Sequence, residues 1–386
     1  MGLFGYVYST MTANPTTFDA EMMAIALGIA RRGLGRTAPN PSVGAVIADE
    51  ATGEVIARGV TARGGRPHAE TIAIARAGSR AKGATIYVTL EPCSHHGQTG
   101  PCAEAIIAAG ITRAVVAIEV PDPRVAGRGL DRLRAAGVEV VRGVGAEEAR
   151  WLTRGHIVRV TERRPFVTLK LALDSNGQVP RGTGRAPVFV TSPEARSFGH
   201  LLRAQADAIL VGSGTVLADN PELTCRLPGL EDRSPKRVVL SRELDIPLSS
   251  KLVESARRVP LSCVCGSDAD QDRGAALTAA GAEIITVTVV GGKLWLPAVM
   301  EELVARGITR LLVEGGPKIW RAFAEASLVD EVVLFQANAT PRDGGMRALE
   351  TINPYLGTLP LSAIKHSSAG PDTIWRFARH STTEGR

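Results

Sequence analysis

The chain is short of several things, and each shortage removes a class of function. It has no run of about 18 or more apolar residues, so no stretch reads as a membrane-spanning helix. Aromatic residues make up only 4% of its 386 positions, too few for a platform on which bases stack. Five cysteines are an odd and sparse set, which argues against a disulfide framework and for a reducing, cytoplasmic setting. Excess charge is also small: the formal net charge is +6, with the arginines scattered rather than run together. That balance suits an anionic small substrate, and neither a nucleic-acid track nor a membrane surface. Residues 1–17 lack a basic opening and a clear cleavage site, and read as a disordered extension rather than a leader. The tail after His380 reads the same way.

What remains is a globular composition, 44% hydrophobic and 22% charged, over about twice the length of an ordinary domain. A helix is expected over 18–32, capped by Thr17, with Met22, Ile25, Ala26 and Ile29 on one face. Strands over 43–48 and 54–60 read as a hairpin. A helix from His68 to about Ala77, a strand over 84–90, a helix from Cys102 to about Ala109, a strand over 114–118, a helix over 130–136 and a strand over 138–142 continue the alternation. A last helical stretch at 147–153 closes this half. Residues 161–165, polar and ending in Pro165, suit a junction, which gives domains at 18–160 and 166–380. The second half restarts with a strand at 166–172. Further strands are expected at 188–191, 208–212, 237–240, 261–265, 284–290, 310–314 and 330–336, and helices at 192–204, 274–280, 296–306 and 317–326. Both halves are therefore α/β, with sheets covered by helices.

The chemistry concentrates in two short stretches. Pro67-His68-Ala69-Glu70 is followed by Glu91-Pro92-Cys93-Ser94-His95-His96 and Pro101-Cys102. Hydrolytic zinc sites use three protein ligands and keep one position for water. His68, Cys93 and Cys102 supply three, and the helix start at Cys102 favours a thiolate. Glu70 lies two residues past His68, where it can take a proton from the water and pass it to a leaving amine. The pattern matches that of zinc deaminases, except that eight residues rather than two separate the cysteines. Taken singly, each of these residues reads as a buried thiol or a surface side chain; taken together they predict one zinc per chain. His95 and His96 are competing ligands or substrate contacts. Cys225, Cys263 and Cys265 read as core. Asn40, between two prolines, is either part of an ordinary turn or a substrate-facing amide.

Thr37-x-Pro-Asn-Pro-x-Val-Gly44, Pro67-His-Ala-Glu70, Leu90-Glu-Pro-Cys-Ser-His-His-Gly-x-Thr-x-Pro-Cys102 and Val125-Ala-Gly-Arg-Gly129 together resemble the bifunctional deaminase–reductase family of riboflavin biosynthesis. The resemblance spans nearly the whole chain and includes the long cysteine spacer. It implies a cytidine-deaminase-like α/β/α domain followed by a dihydrofolate-reductase-like α/β domain. It implies hydrolytic deamination of 2,5-diamino-6-(5-phosphoribosylamino)pyrimidin-4-one, with Glu70 moving protons and Asn40 holding the pyrimidine. Reduction of the ribosyl chain to ribityl by NADPH would follow. For that second step it implies substrate contacts from Arg203, Leu223, Arg226 and Glu314. Cofactor contacts would come from Ala172, Phe189, Thr215, Asp219, Gly315 and Gly316. It also implies a homo-oligomer, a dimer or tetramer.

The chain departs from that family's usual residues at Asp174 and Asn176, Pro187 and Phe189, and Ser241 and Arg242. In the first half it departs at Gln98 and Val120. The zinc set is untouched, so the departures weigh on the reductase half. Two other readings compete with a bifunctional enzyme: a deaminase whose reductase half is impaired or re-purposed, and an editor of nucleic acid. The sparse aromatics and the long cysteine spacer oppose the second.

Overall fold

The structure is a computed structural model that describes residues 15–95, 100–120, 126–179, 191–338, 344–357 and 359–379. The chain divides into two units, one ending at Arg163 and the other beginning at Arg164. The expectations for 1–14, 96–99, 180–190 and beyond Arg379, including His96, Gln98, Pro187, Phe189 and the strand at 188–191, lie outside the described residues.

The first unit opens with helix α1 (Thr17–Gly33). Its cap is Thr16 and not Thr17. Thr16 is extended, its hydroxyl accepts from the Asp19 amide, and the Asp19 carboxylate accepts from the Thr16 amide at 2.9 Å. This reciprocal pair satisfies two donors that the helix start would otherwise leave open. Strands β1 (Gly44–Asp49) and β2 (Glu54–Val60) form the expected hairpin. Then come α2 (Ala69–Ala77), β3 (Thr85–Val88), α3 (Cys102–Ala108), β4 (Arg113–Val116), α4 (Arg128–Ala135), β5 (Glu139–Arg142) and α5 (Ala146–Glu162). The sheet order is β2-β1-β3-β4-β5, with β3, β4 and β5 parallel. Helix α5 runs nine residues past the stretch expected at 147–153 and takes in Thr161, whose hydroxyl donates to the Ile157 carbonyl. The junction is therefore shorter than its polar composition suggests.

Two glycines show how helices cover both faces. Gly59 pairs next to Gly44 in the hairpin register, so their missing side chains point to opposite sides. A Cβ on Gly44 would meet the Ala26 carbonyl of α1 at 2.0 Å, and one on Gly59 would meet the Ala69 carbonyl of α2 at 2.1 Å. The absence of both side chains lets α1 and α2 sit directly on the sheet. That closeness fixes the start of α2, and with it His68, against β1 and β2.

The second unit holds a nine-stranded sheet in the order β10-β9-β8-β7-β13-β6-β14-β16-β15. Its elements are β6 (Phe166–Leu173), α6 (Pro193–Ala204), β7 (Ala208–Gly212), α7 (Ser213–Asp219), β8 (Lys236–Leu240), α8 (Lys251–Glu254), β9 (Leu261–Gly266), α9 (Gln271–Ala280), β10 (Glu283–Val287), β11 (Val289–Val290), β12 (Lys293–Leu294), α10 (Leu296–Ala305), β13 (Arg310–Val313), α11 (Pro317–Glu325), β14 (Glu331–Gln336), α12 (Gly344–Leu356), β15 (Leu361–Ala369) and β16 (Asp372–Arg379). The strand expected at 284–290 stops at Val287, because Val289 and Val290 pair with β12 instead. Ser213–Asp219 form a short helix, an element with no counterpart among the expected ones. Strand β6 alternates strictly: Val167, Leu169, Leu171 and Leu173 are buried in one core, while Lys170 and Ala172 face the other side. The chain leaves β6 for β7, skips a place and returns to fill it with β13. Parallel strands whose order switches in this way open a crevice at their C-terminal ends.

Candidate active sites

In the first unit, β3 delivers the chain into the loop that carries Cys93, while α2 and α3 start on either side of it. His68 caps α2 in extended conformation, and Cys102 is the first residue of α3. His68 Nδ1, Cys93 Sγ and Cys102 Sγ lie within 4.8 Å of one another. His68 Nδ1 is 3.3 Å from Cys102 Sγ and 3.7 Å from Cys93 Sγ, and the Cys102 amide donates to Cys93 Sγ at 3.3 Å. The hydrogen bond from Cys102, with further help from His68, holds the Cys93 thiol down at about 4. Its neighbour Cys102 is held well above the ordinary thiol range by that same contact and by burial. Hydrogen bonding to Cys93 raises His68. One imidazole nitrogen and two sulfurs converging at this spacing fit a tetrahedral zinc with a fourth place left over. The donor set is therefore that of zinc.

Glu70 sits in the first turn of α2 and is buried, and desolvation raises its carboxyl to about 7. A cavity of about 580 Å³ opens beside it. Its wall includes His68, Glu70, Cys93, Asn40, His95 and Arg128. The Asn40 amide nitrogen donates one hydrogen to the Gly65 carbonyl at 2.8 Å, which anchors the side chain at the cavity wall and leaves a second N–H and the oxygen for a ligand. Among the described residues, no fourth side chain joins the zinc set. His95 is exposed and lines the cavity instead.

Sequence reasoning missed Glu91. This acid is buried, and its carboxylate accepts from the amides of Gly129 at 2.9 Å, Gly127 at 3.0 Å and Val120 at 3.1 Å. An acid ending an apolar strand, just before a metal ligand, was the available signal. The contact made by Val120 is through its backbone, so the departure at that position does not disturb it.

In the second unit, Glu314 follows β13 and sits beside Lys170 of β6 in the parallel register. Its two oxygens accept from Arg203 Nε and Nη2 of α6, both at 2.8 Å, and Lys170 Nζ is 4.0 Å away. Burial would push the Glu314 carboxyl up, but Arg203 and then Lys170 outweigh it and hold the group at about 2. Burial lowers Lys170, which also lies over the Phe335 ring at 5.2 Å. Arg203 Nη1 donates to the Thr224 carbonyl at 3.0 Å. In this structure it clamps Glu314 through two of its nitrogens. Arg226 is exposed, pairs with Glu222 at 3.2 Å, and donates its amide to His200 Nδ1. Leu223 is buried, with φ at +56°. Lys170 and His200 are the residues of this cluster to which the sequence assigned no role.

Thr215 and Asp219 share α7, and Gly315 and Gly316 form the turn between β13 and α11. Ala172 lies on β6 with its face toward the same layer as Phe335. A Cβ on Gly315 would meet Ile319 at 2.7 Å, whereas the space beside Gly316 is open. Of the departing residues, Asp174 accepts from the Asn176 and Gln178 amides and closes a turn. Ser241 bonds Asp245, and Arg242 pairs with Asp268 at 2.5 Å.

Residues 16–118 match the family model of the cytidine and deoxycytidylate deaminase zinc-binding region, and residues 165–340 match that of the RibD C-terminal domain. The riboflavin biosynthesis protein RibD of Aquifex aeolicus is 36% identical over 94% of this chain and 99% of its own length. That of Escherichia coli is 39% identical over 83% of this chain and 87% of its own. A solved deaminase and 5-amino-6-(5-phosphoribosylamino)uracil reductase from Thermotoga maritima superposes with a TM-score of 0.78 at 31% identity, covering 94% of this chain and 99% of that one. The fold is accordingly a cytidine-deaminase-like unit followed by a dihydrofolate-reductase-like one. A zinc-type ligand set in one unit, a clamped carboxylate at the strand ends of the other, and relatives matching from end to end lead to one conclusion: the chain belongs to the RibD family of bifunctional deaminase–reductases of riboflavin biosynthesis.

Proposed function

We propose that the unit at residues 18–160 deaminates a phosphoribosylated diaminopyrimidinone and that the unit at 166–380 reduces the ribosyl chain of the product with NADPH. The observation that carries the first step is the convergence of His68, Cys93 and Cys102 beside buried Glu70 on one cavity. When bound by those three, zinc brings a water toward hydroxide near neutral pH. Glu70 takes the proton of that water and delivers it to the departing amine, which leaves as ammonia. Its carboxyl, raised to about 7, can both accept and donate near neutrality. Asn40, anchored on Gly65 through one N–H, would meet the ring with its oxygen as acceptor and its second N–H as donor.

For the second step NADPH supplies the hydride. The turns after β7 and β13 lie at the ends of adjacent parallel strands, where Thr215, Asp219, Gly315 and Gly316 would meet the cofactor. Ala172 and Phe189 would complete that side. The open space at Gly316 leaves its backbone approachable by an anionic group. Leu223 and Arg226 would border the substrate, with the charged cluster of Glu314, Arg203 and Lys170 beneath it. Five free thiols fit a cytoplasmic setting, and family membership supports a homo-oligomer, a dimer or tetramer.

Running the two half-reactions separately on the purified full chain tests this. Ammonia release from the diaminopyrimidinone, and loss of NADPH absorbance with the deaminated substrate, are the expected results. Deamination without any NADPH oxidation would overturn the second assignment and favour a re-purposed reductase unit.

A further inference from the structure

The cavity of the first unit contains a cation whose backbone is held firmly and whose charge no described residue answers. Arg128 opens α4 and lines the cavity, and among the described residues its side chain makes no hydrogen bond or ion pair. The other two arginines of the same helix differ. Arg132 pairs with Glu104, and Arg134 with Asp131. Acids are thus at hand along α4 to neutralise arginines, and among the described residues none does so at 128.

The backbone on both sides of Arg128 is pinned. The Glu91 carboxylate accepts from the amides of Gly127 and Gly129, and its third bond, to Val120, ties in the end of the segment after β4. A Cβ on Gly129 would meet the Pro92 carbonyl at 2.0 Å, so α4 begins in direct backbone contact with the loop that carries Cys93. The position of Arg128 relative to the zinc ligands is therefore set through one residue, Glu91, two places before Cys93. Its oxygens are consumed by amides, so it does not neutralise the arginine. Among the described residues, the remaining acid on the cavity wall is Glu70, which the proposed reaction assigns to proton transfer. Arg66 adds a second cationic side chain to the wall.

We infer that Arg128 determines the deaminase's preference for a phosphorylated substrate, reading its phosphate, and that Glu91 is the positioning residue that aims it. The inference rests on the proposed deaminase reading of this cavity and adds to it the group that recognises the anionic end of the substrate. A guanidinium donates paired charge-assisted bonds to a phosphate, and its position relative to the zinc ligands would register the ring over Glu70.

The test compares the phosphorylated diaminopyrimidinone with its dephosphorylated counterpart on the full chain, with zinc content measured for every variant. Arg128→Ala should raise KM for the phosphorylated substrate by about ten-fold or more. Its kcat should stay close to that of the parent, and KM for the dephosphorylated substrate should be little changed. Arg128→Lys should recover part of the loss, since a point charge replaces a fork. Glu91→Gln, with full zinc, should show the same phosphate-selective rise. Combined with Arg128→Ala it should add little to that selectivity, as expected for two residues acting as one unit. Equal losses on both substrates for Arg128→Ala would overturn the inference. Additive effects of the two changes would overturn the positioning role of Glu91. Binding of the phosphorylated substrate to Glu70→Gln protein, with and without Arg128→Ala, decides the inference without turnover. Equal affinities there would also overturn it. If the parent deaminates neither substrate, it is the proposed function that fails, and the binding comparison still stands.

Discussion

Glu70 and Glu314 are two buried carboxylates in two units of one chain, and they have opposite fates. Glu70 is pushed up to about 7, and Glu314 is held at about 2. Burial raises both, so burial does not separate them. The difference is in the neighbours. Glu314 has a guanidinium on both oxygens and an ammonium at 4.0 Å. Glu70 has no fixed cation clamped on it; its strongest opposing influences are a backbone hydrogen bond and the charge of His68. A carboxylate whose charge has no dedicated partner is ready to carry a proton. One whose charge is answered in full becomes a fixed feature of the field around it. The same residue type thus serves acid–base chemistry in one unit and electrostatic scaffolding in the other.

The comparison breaks most readily at Glu70. Glu70→Gln keeps the size and removes the proton carrier, so ammonia release should fall by about 10²–10⁴-fold. Zinc content and NADPH oxidation by the second unit should persist. A variant that still deaminates at the parent rate would remove Glu70 from the reaction. The next largest effect is on stability. Glu314→Gln leaves Arg203 and Lys170 buried together without their counter-charge, which costs about 3 kcal/mol. The change is read as an earlier unfolding midpoint by tryptophan fluorescence, since Trp295, Trp320 and Trp375 all lie in the second unit. An unchanged midpoint would mean that the clamp contributes no net stability.

The two carboxylates were not equally legible in the sequence. Glu70 stands two residues from His68, and the local pattern of His, Glu and proline-flanked Cys carried its role. The helix starts that hold those ligands were legible too, because capping and periodicity are local. The partner of Glu314 lies 111 residues away in the chain, and no local signal reports that α6 will swing Arg203 onto it. Glu91 was opaque for the same reason, as its three amide partners lie 29 to 38 residues further on. No element was expected after β7, where two glycines stand in Gly212-Ser213-Gly214, yet α7 forms there with Val216 buried. Tertiary packing overrode a weak propensity. The closing hairpin of β15 and β16 carried little signal, because β15 is an edge strand with much of its length exposed and no alternation to detect. Length misled at α5, whose second half mixes arginines with apolar residues and resembles a linker.

The smallest effect tests whether two cations are needed to hold Glu314 down. Lys170→Met removes the farther one and leaves both bonds from Arg203 intact. It also removes the cost of burying an ammonium, so the net loss near neutral pH should be about 1 kcal/mol, well under that of Glu314→Gln. The pH dependence follows from the direction of the shift. A carboxyl depressed in the folded state contributes its stability in full above its ordinary value of 4.5, and that contribution is lost as pH falls through about 2. Without Lys170 the folded value rises toward the ordinary one, so less stability is present at neutral pH and less is left to lose in acid. The gap between the unfolding midpoints of parent and variant should therefore hold down to about pH 4 and narrow as pH falls from there to about 2. A gap of constant size across that range would show that Lys170 acts by packing against Phe335 and not through the charge of Glu314.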